Sequence, residues 1–178
     1  MRVWLIGFMG AGKTTVGRDL AALLGWDLLD NDALLRRETG SSLNELAARG
    51  ESVLHDSESV QMREAAEREP PFVAGVAASV ADRPADLKLL RGSGVVVYLR
   101  VRAETLAARL GDGQGRPWLD DDPVRWIKET LAGRDDAYAG AADVIIDVDD
   151  LTADEVARRL KPAVLAAAVS WERRHQLP

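Results

Sequence analysis

The feature that most constrains this chain is a glycine-rich segment near its start, residues 7–14, which reads GFMGAGKT. The four residues before it, 3–6, are all apolar, as is typical of a short buried strand. After it, apolar residues recur at helical spacing until Gly25, which marks the end of the pattern. The letters G-x-x-x-x-G-K-T between a strand and a helix predict a phosphate-binding loop. The alternative, a glycine-rich turn with an incidental lysine, explains neither the full motif nor its context.

The residue types indicate how this loop would hold a nucleotide. Glycines let the backbone direct successive N–H groups at an anion, and the positive end of the following helix adds to the attraction. We expect Lys13 to contact the β- and γ-phosphates and the Thr14 hydroxyl to ligate Mg²⁺. The other nucleotide-binding positions that we predict in this segment are Gly10, Ala11, Gly12 and Thr15.

Composition limits the class of protein. The chain has 178 residues, of which 47% are hydrophobic, enough for one domain with a core over residues 1–178. Its net charge of −6 argues against a nucleic-acid-binding surface, and the lack of cysteine excludes disulfides and thiol catalysis. The first apolar run is too short for a signal peptide, and we find no membrane span. We therefore expect a cytoplasmic protein. A monomer is our prediction for its oligomeric state.

Four more apolar runs alternate with helical patterns along the chain. They predict strands at residues 26–29, 72–76, 95–99 and 144–148. This alternation favours an α/β fold, a five-stranded parallel sheet with helices on both faces. The last helix should begin at a capping box formed by Thr152 and Glu155. We expect Pro162 to kink or break that helix, and residues from about 170 to form a loose tail.

Two aspartates, Asp30 and Asp32, follow the second predicted strand. In open α/β sheets ligands bind at the carboxyl ends of the strands, so both carboxylates are placed where a substrate would lie. One could hold the hydration shell of Mg²⁺, and the other could accept a proton from a substrate hydroxyl. The alternative is structural, because Asp30 or Asn31 could cap the next helix. The two roles are compatible.

A glycine-rich segment at residues 111–122 interrupts the periodic patterns. A long loop inside a compact domain favours a mobile lid over the substrate. Arg116 within it could fold over a triphosphate and neutralise charge in the transition state, although it could also be a solvated surface residue. Asp122 followed by Pro123 predicts the cap and first position of the next helix.

Taken together, these segments resemble the shikimate kinase family, within the nucleoside-monophosphate-kinase-like P-loop group. The resemblance extends from Val3 to about Leu160. The family's loop motif matches at Gly7, Gly10, Gly12, Lys13 and Thr14, its D-x-D motif at Asp30 and Asp32, and its R-P-x-L lid motif from Arg116. The resemblance implies the strand order 2-3-1-4-5 and transfer of phosphate from ATP, with Mg²⁺, to a small hydroxylated acceptor.

The resemblance also implies roles for individual residues. Asp30 would serve Mg²⁺, and Asp32 would bind the acceptor hydroxyl as the candidate base. Arg109 would pack on adenine, and Arg116 would contact the phosphates. Arg134 begins the family's R-x-x-x-Y motif, which ends at Tyr138, and would bind the carboxylate of shikimate.

Two departures from the family pattern lie on the acceptor side. The helix motif G-E-x-x-F-R-x-x-E reads GESVLHDSE here, so His55 stands where the family has a carboxylate-binding arginine. The triple glycine after the third strand is replaced within residues 75–78, where Val76 follows Gly75 and side chains would fill space that glycines leave open. Histidine offers at most two donors and no bidentate fork. The acceptor is therefore shikimate, held by Arg134 with His55, or another small polyol or cyclitol.

Two other functions compete with this kinase interpretation. A nucleotide-binding regulator without catalysis would explain the changed acceptor side but not the retained Asp32, Arg116 and Arg134. A nucleoside monophosphate kinase should have more arginines around its acceptor pocket. We therefore predict a phosphotransferase in which Lys13, Asp32 and Arg116 are catalytic. Its acceptor-binding residues would be Asp32, His55, Gly75, Val76 and Arg134.

Overall fold

Within residues 1–110 and 122–175, which the computed structural model describes, five strands form one parallel sheet. The strands are β1 Arg2–Ile6, β2 Asp27–Leu29, β3 Phe72–Gly75, β4 Val95–Arg100 and β5 Val144–Asp147. Their order is β2-β3-β1-β4-β5, with every neighbouring pair parallel. The α/β fold predicted from the apolar runs is confirmed, and so is the strand order implied by the resemblance.

Helices supply the connections between these strands. They are α1 Lys13–Leu24, α2 Asn31–Thr39, α3 Leu43–Ala48, α4 Glu51–Ala66, α5 Pro84–Ser93, α6 Ala103–Leu110, α7 Pro123–Ala141 and α8 Ala153–His175. A short 3₁₀ helix, Ala78–Asp82, lies between β3 and α5. Among the helices of the described ranges, none has both the length and the apolar character needed to cross a membrane.

The core lies on both faces of the sheet. Side chains alternate between the faces along each strand, so Val3 and Leu5 join one buried cluster while Trp4 and Ile6 join another. The first cluster packs against α1 and α8, and the second against α4, α5 and α7. All four of these β1 side chains are at most 1% exposed. Burial on both faces explains why the inner strands β1, β3 and β4 have continuous apolar sequences.

Side-chain caps define the starts of several helices, and the sequence predicts two of them, at Asp122 and at Thr152. Ser42 and Glu45 form a complete capping box at α3, and the Thr152 and Glu155 side chains make the corresponding bonds before α8. Asp122 caps α7 by accepting a hydrogen bond from the N–H of Arg125 at 3.0 Å. These bonds satisfy N–H groups that the first helical turn leaves unpaired.

Two predictions concern helix α8. The helix continues through Pro162 without a break, because its apolar side packs against α1 and the sheet on both sides of the proline, and a kink there stays a prediction. It also extends to residue 175, so the prediction of a loose tail from about 170 was wrong there. The Trp171 indole donates to the carbonyl of Arg91 at 2.9 Å, and Arg174 pairs with Asp143 at 2.7 Å. These contacts bind the end of the helix to α5 and to the start of β5.

Candidate active site

The segment between β1 and α1 has the backbone that a phosphate-binding loop requires. Gly7, Gly10 and Gly12 have φ angles of 143°, 80° and 93°, in a region that side-chain-bearing residues rarely adopt. Gly12 is the N-cap of α1 and has no side chain to occupy the first N–H groups of the helix. The positive end of α1 therefore adjoins a glycine turn, an arrangement that fits the phosphates of a nucleotide.

Lys13 is held against this loop. Its Nζ donates to the carbonyl oxygens of Gly7 at 2.8 Å and Phe8 at 3.0 Å. Lys13 and Thr14 both line the cavity in front of the loop. An ammonium group and a hydroxyl side by side at the start of α1 are the groups that a phosphate chain with Mg²⁺ requires, so the residues present fit both ligands.

The cavity has a volume of about 700 Å³ and extends from the phosphate-binding loop to α4 and α7. This volume lies in the range of small-molecule binding sites. From the loop and α1 it is lined by Gly10, Gly12, Lys13, Thr14 and Thr15. On the other side it is lined by residues that include Asn31, Asn44, Glu51, His55, Glu58, Gly75, Val76, Ser79, Trp126 and Arg134. The structure thus brings most of the predicted donor-side and acceptor-side residues to one cavity.

His55 and Arg134 both reach the acceptor side of this cavity. His55 lies on α4, where its Nε2 is 3.8 Å from a carboxylate oxygen of Glu51. Arg134 lies on α7, and its guanidinium carbon is 5.9 Å from the centre of the Phe8 ring. The Arg134 side chain is 13% exposed and donates to Asp82, at the end of the 3₁₀ helix, through Nε at 3.0 Å.

The segment after β3 contributes side chains as well as backbone. Val76 lines the cavity but is also 3% exposed and part of the buried cluster that contains Ile6. Its N–H donates to the carbonyl of Leu5 at 2.9 Å, within the sheet. A Cβ on Gly75 would lie 3.6 Å from the Cβ of Lys13. After β3, the backbone of Val76 is therefore hydrogen-bonded to β1, and Gly75 lies next to the side chain of Lys13.

Two other residues that we predict on the nucleotide side, Ala11 and Arg109, make hydrogen bonds that support the phosphate-binding loop. Ala11 is 2% exposed, and its N–H donates to the Phe8 carbonyl at 3.2 Å. Arg109 on α6 donates to the carbonyls of Gly10 at 3.3 Å and Val148 at 3.1 Å, which places it beside the loop. Stacking of Arg109 on adenine stays a prediction.

The two aspartates after β2 are placed differently by the structure. Asp30 is the N-cap of α2, and its Oδ1 accepts from the N–H of Ala33 at 3.0 Å. The capping role is confirmed, while the Mg²⁺ role stays a prediction. Asp32 lies in the first turn of α2, and its side chain is outside the described part. Arg116 and the predicted lid, apart from Asp122, also fall outside the described residues.

Sequence reasoning missed several residues at this site. Glu58 accepts a hydrogen bond from the Ser79 hydroxyl at 2.6 Å, and both line the cavity. Trp126 lines it from α7, and Asp82 binds Arg134. Glu58 could have been predicted, because it belongs to the family's helix motif. No sequence pattern indicated Asp82, because its partner Arg134 is 52 residues away in the sequence.

A glycine-to-alanine change tests whether the loop backbone is required. A Cβ on Gly7 would lie 2.7 Å from the carbonyl oxygen of Leu99, at a φ that disfavours any side chain. We expect Gly7→Ala to lower the free energy of unfolding by about 3 kcal/mol, and Tm by roughly 6–12 °C. Thermal melts followed by circular dichroism measure this. Gly92→Ala is the control, because nothing lies within 4 Å of its Cβ position in α5 and stability should stay equal or rise. Equal melting of Gly7→Ala and wild type would contradict the prediction.

Tyr138 gives the protein a pH dependence on the alkaline side. Its hydroxyl donates to the Ala78 carbonyl at 2.6 Å, and burial raises the pKa of this tyrosine above its usual range. Stability from the protonated hydroxyl is thus complete below a pH of about 10 and is lost as the pH rises further. We expect the Tm of the wild type to fall more steeply than that of Tyr138→Phe above about pH 10. Parallel curves of Tm against pH would contradict this.

A phosphate-binding loop on a parallel five-stranded sheet, opening into one small-molecule cavity, defines a P-loop kinase for small molecules. A family model described as shikimate kinase matches residues 9–164. The chain belongs to the shikimate kinase family, and the predicted family is confirmed. It is a small-molecule kinase that uses ATP and Mg²⁺ to phosphorylate a hydroxyl group.

Individual relatives agree with this assignment. The chain is 41% identical to a shikimate kinase of Moorella thermoacetica over 164 residues, which cover 91% of this chain and 93% of the relative. It is 38% identical to one of Halorhodospira halophila over 165 residues, covering 92% and 93%. A solved structure, shikimate kinase from Acinetobacter baumannii in complex with shikimate, is similar with a TM-score of 0.87 and 30% identity, covering 93% of each chain.

Proposed function

We propose that this kinase transfers the γ-phosphoryl group of Mg-ATP to a hydroxyl of shikimate or of a related small polyol or cyclitol. The observation that carries the proposal is the shared cavity, which joins Lys13 and Thr14 to His55 and Arg134. Because both sets of residues line one space of about 700 Å³, donor and acceptor can bind side by side. The Acinetobacter baumannii relative bound to shikimate supports an acceptor of this size.

The predicted site residues would each have a separate role in the phosphoryl transfer. When bound, Mg-ATP supplies the phosphoryl group and a divalent charge on its phosphates. Lys13 and the loop N–H groups would stabilise negative charge on the transferring group, and Arg116 would add a second cation. Thr14 and Asp30 would hold the metal. Asp32 would orient the acceptor hydroxyl and take its proton.

The proposed phosphoryl transfer needs no reactant other than ATP and the acceptor, with Asp32 to take the proton. The acceptor oxygen bonds to phosphorus while the bond from phosphorus to the β–γ bridging oxygen breaks. The acceptor proton passes to the Asp32 carboxylate, and ADP leaves with the electron pair of the broken bond. Arg109 would pack on adenine, while His55, Gly75, Val76 and Arg134 would shape the acceptor site.

An acceptor panel tests the function. ADP release is measured with Mg-ATP and shikimate, quinate, cyclitols, gluconate or nucleoside monophosphates, and the product is identified by phosphorus NMR. We expect release that depends on one small polyol acceptor, yields a phosphate monoester, and stops when EDTA removes Mg²⁺. Tight ATP binding without ADP release from any acceptor would overturn the proposal. Turnover of a nucleoside monophosphate alone would reassign the acceptor class.

We also infer the setting in which the enzyme acts. The net charge of −6 supports an enzyme without a nucleic-acid partner, since such partners select basic surfaces. We propose that it acts in the cytoplasm. We expect the enzyme to be a monomer. Light scattering coupled to size exclusion should give the mass of one chain, and a mass of two chains would contradict this.

A further inference from the structure

The acceptor side of the cavity contains an ion pair within the chain itself. Arg134 donates through Nε to Asp82 Oδ1 at 3.0 Å, and its Nη2 donates to the other carboxylate oxygen. This is the two-point geometry by which a guanidinium group recognises a carboxylate. Asp82 therefore occupies one two-donor edge of Arg134, the Nε and Nη2 edge, which is then closed to the carboxylate of an acceptor.

The surrounding structure holds this pair in place. Asp82 ends the 3₁₀ helix, and Tyr138, one turn after Arg134 on α7, donates to the carbonyl of Ala78 at the start of that 3₁₀ helix. Tyr138 is 0% exposed. The two elements that contribute Asp82 and Arg134 are thus joined by a buried hydrogen bond, and the pair is positioned before any acceptor enters.

The other charged groups on this side do not replace the occupied arginine. Glu51 and Glu58 line the cavity as carboxylates, and Glu58 accepts from Ser79 at 2.6 Å. His55 stands in the place of the family's arginine and is 3.8 Å from Glu51. Among the acceptor-side residues that the structure describes, negative groups therefore outnumber positive ones once Asp82 is included. A second carboxylate brought into this partly buried space would be repelled.

We propose that Asp82 is a specificity-determining residue that directs the pocket toward hydroxylated acceptors without a carboxylate group. Its carboxylate takes the place of an acceptor carboxylate on Arg134, so a polyol that is neutral or carries an ammonium group binds without breaking the pair. The inference rests on the proposed function of the same site, and it selects among the acceptors that this function allows.

The test compares acceptors that differ in charge but little in shape. These are shikimate, its primary amide and the analogue with an aminomethyl group in place of the carboxylate. For the wild type we expect kcat/KM to favour the amide or the amine over shikimate by about tenfold or more, the ratio that one charge-assisted hydrogen bond supports. A wild type that favours shikimate would overturn the inference, and this measurement needs no variant.

Asp82→Asn tests the assigned residue. The substitution keeps the shape of the side chain but removes its charge, so Arg134 becomes available to an acceptor carboxylate. We expect the ratio of kcat/KM for shikimate over the amide to rise by about tenfold. The control is Asp56→Asn, which removes the same charge from a nearby pair with Arg83, 2.6 Å long. Equal changes in both variants would overturn the inference, because they would indicate a general field effect.

A binding measurement separates this inference from the proposed function. Calorimetric titration of the same acceptors, with a non-hydrolysable ATP analogue present, reports affinity without phosphoryl transfer. If the neutral acceptor binds more tightly than shikimate but none is phosphorylated, the function fails and the inference stands. If acceptors are phosphorylated but shikimate binds as tightly as the amide, the function stands and the inference fails.

Discussion

Replacing Lys13 with alanine is expected to lower kcat by about 10²–10³-fold, the usual effect of removing one group that stabilises transition-state charge. The Lys13 ammonium lies at the loop, bonded to the carbonyls of Gly7 and Phe8, and lines the cavity beside Thr14. Without Lys13, developing charge on a transferring phosphoryl group would lose the ammonium group that lies at the phosphate-binding loop. The loss should fall mainly on kcat, because the loop N–H groups remain to bind the nucleotide.

The measurement is steady-state ADP release with the preferred acceptor, beside calorimetric binding of ATP. Lys88→Ala is the matched control, since it removes the same charge from an exposed position on α5 that does not line this cavity. Its kcat should equal that of the wild type. A Lys13→Ala enzyme that folds, binds ATP and turns over at the wild-type rate would show that the lysine does not act on the transferred group.

The donor side of the site was readable from sequence because it is local. Gly7, Gly10, Gly12, Lys13 and Thr14 lie within one loop and the first turn of one helix, so their spacing alone specifies the arrangement. The strands were predictable for a similar reason, because each is a short apolar run, and the inner strands β1, β3 and β4 are buried on both faces. The order of the strands in the sheet could not be predicted in this way, because an apolar run does not indicate which other strands lie beside it. The order was implied only by the family resemblance.

The acceptor side is assembled from segments that are distant in the sequence, so the contacts between its side chains could not be predicted from the sequence. Its residues come from four places: Asn44 lies in the first turn of α3, His55 on α4, Val76 just after β3, and Arg134 on α7. The sequence indicated which residue types had changed there. It did not indicate that Asp82 faces Arg134, since this contact depends on how the 3₁₀ helix packs on α7.

The end of α8 shows the same limit. The composition after residue 170 lacks a clear apolar pattern, so a tail was a reasonable expectation. The structure instead anchors Trp171 on Arg91 and Arg174 on Asp143, which lie 80 and 31 residues away in sequence. Neither contact leaves a periodic signal. Sequence patterns predict helices, strands and loops, whereas side-chain contacts between distant elements are known only from the structure.

Replacing Asp32 with asparagine is expected to lower kcat by about 10²–10⁴-fold, the range for losing a general base. Asp32 follows β2, in the first turn of a helix whose N-cap is Asp30, at the carboxyl edge of the sheet where substrates bind. Asparagine can still hydrogen-bond the acceptor hydroxyl but cannot take its proton. We therefore expect KM for the acceptor to change much less than kcat, as measured by ADP release over a range of acceptor concentrations.

Two neighbouring variants show whether the effect belongs to Asp32. Asp27→Asn removes a carboxylate from the exposed start of β2 and should leave kcat unchanged. Asp30→Asn keeps the cap of α2, because asparagine caps helices as well as aspartate, and should raise the Mg²⁺ concentration needed for half-maximal rate if Asp30 serves the metal. A fall of less than about tenfold in Asp32→Asn would leave Asp32 an orienting group. The acceptor proton would then leave late in the transfer, as a loose transition state allows, and Lys13 would carry more of the catalysis.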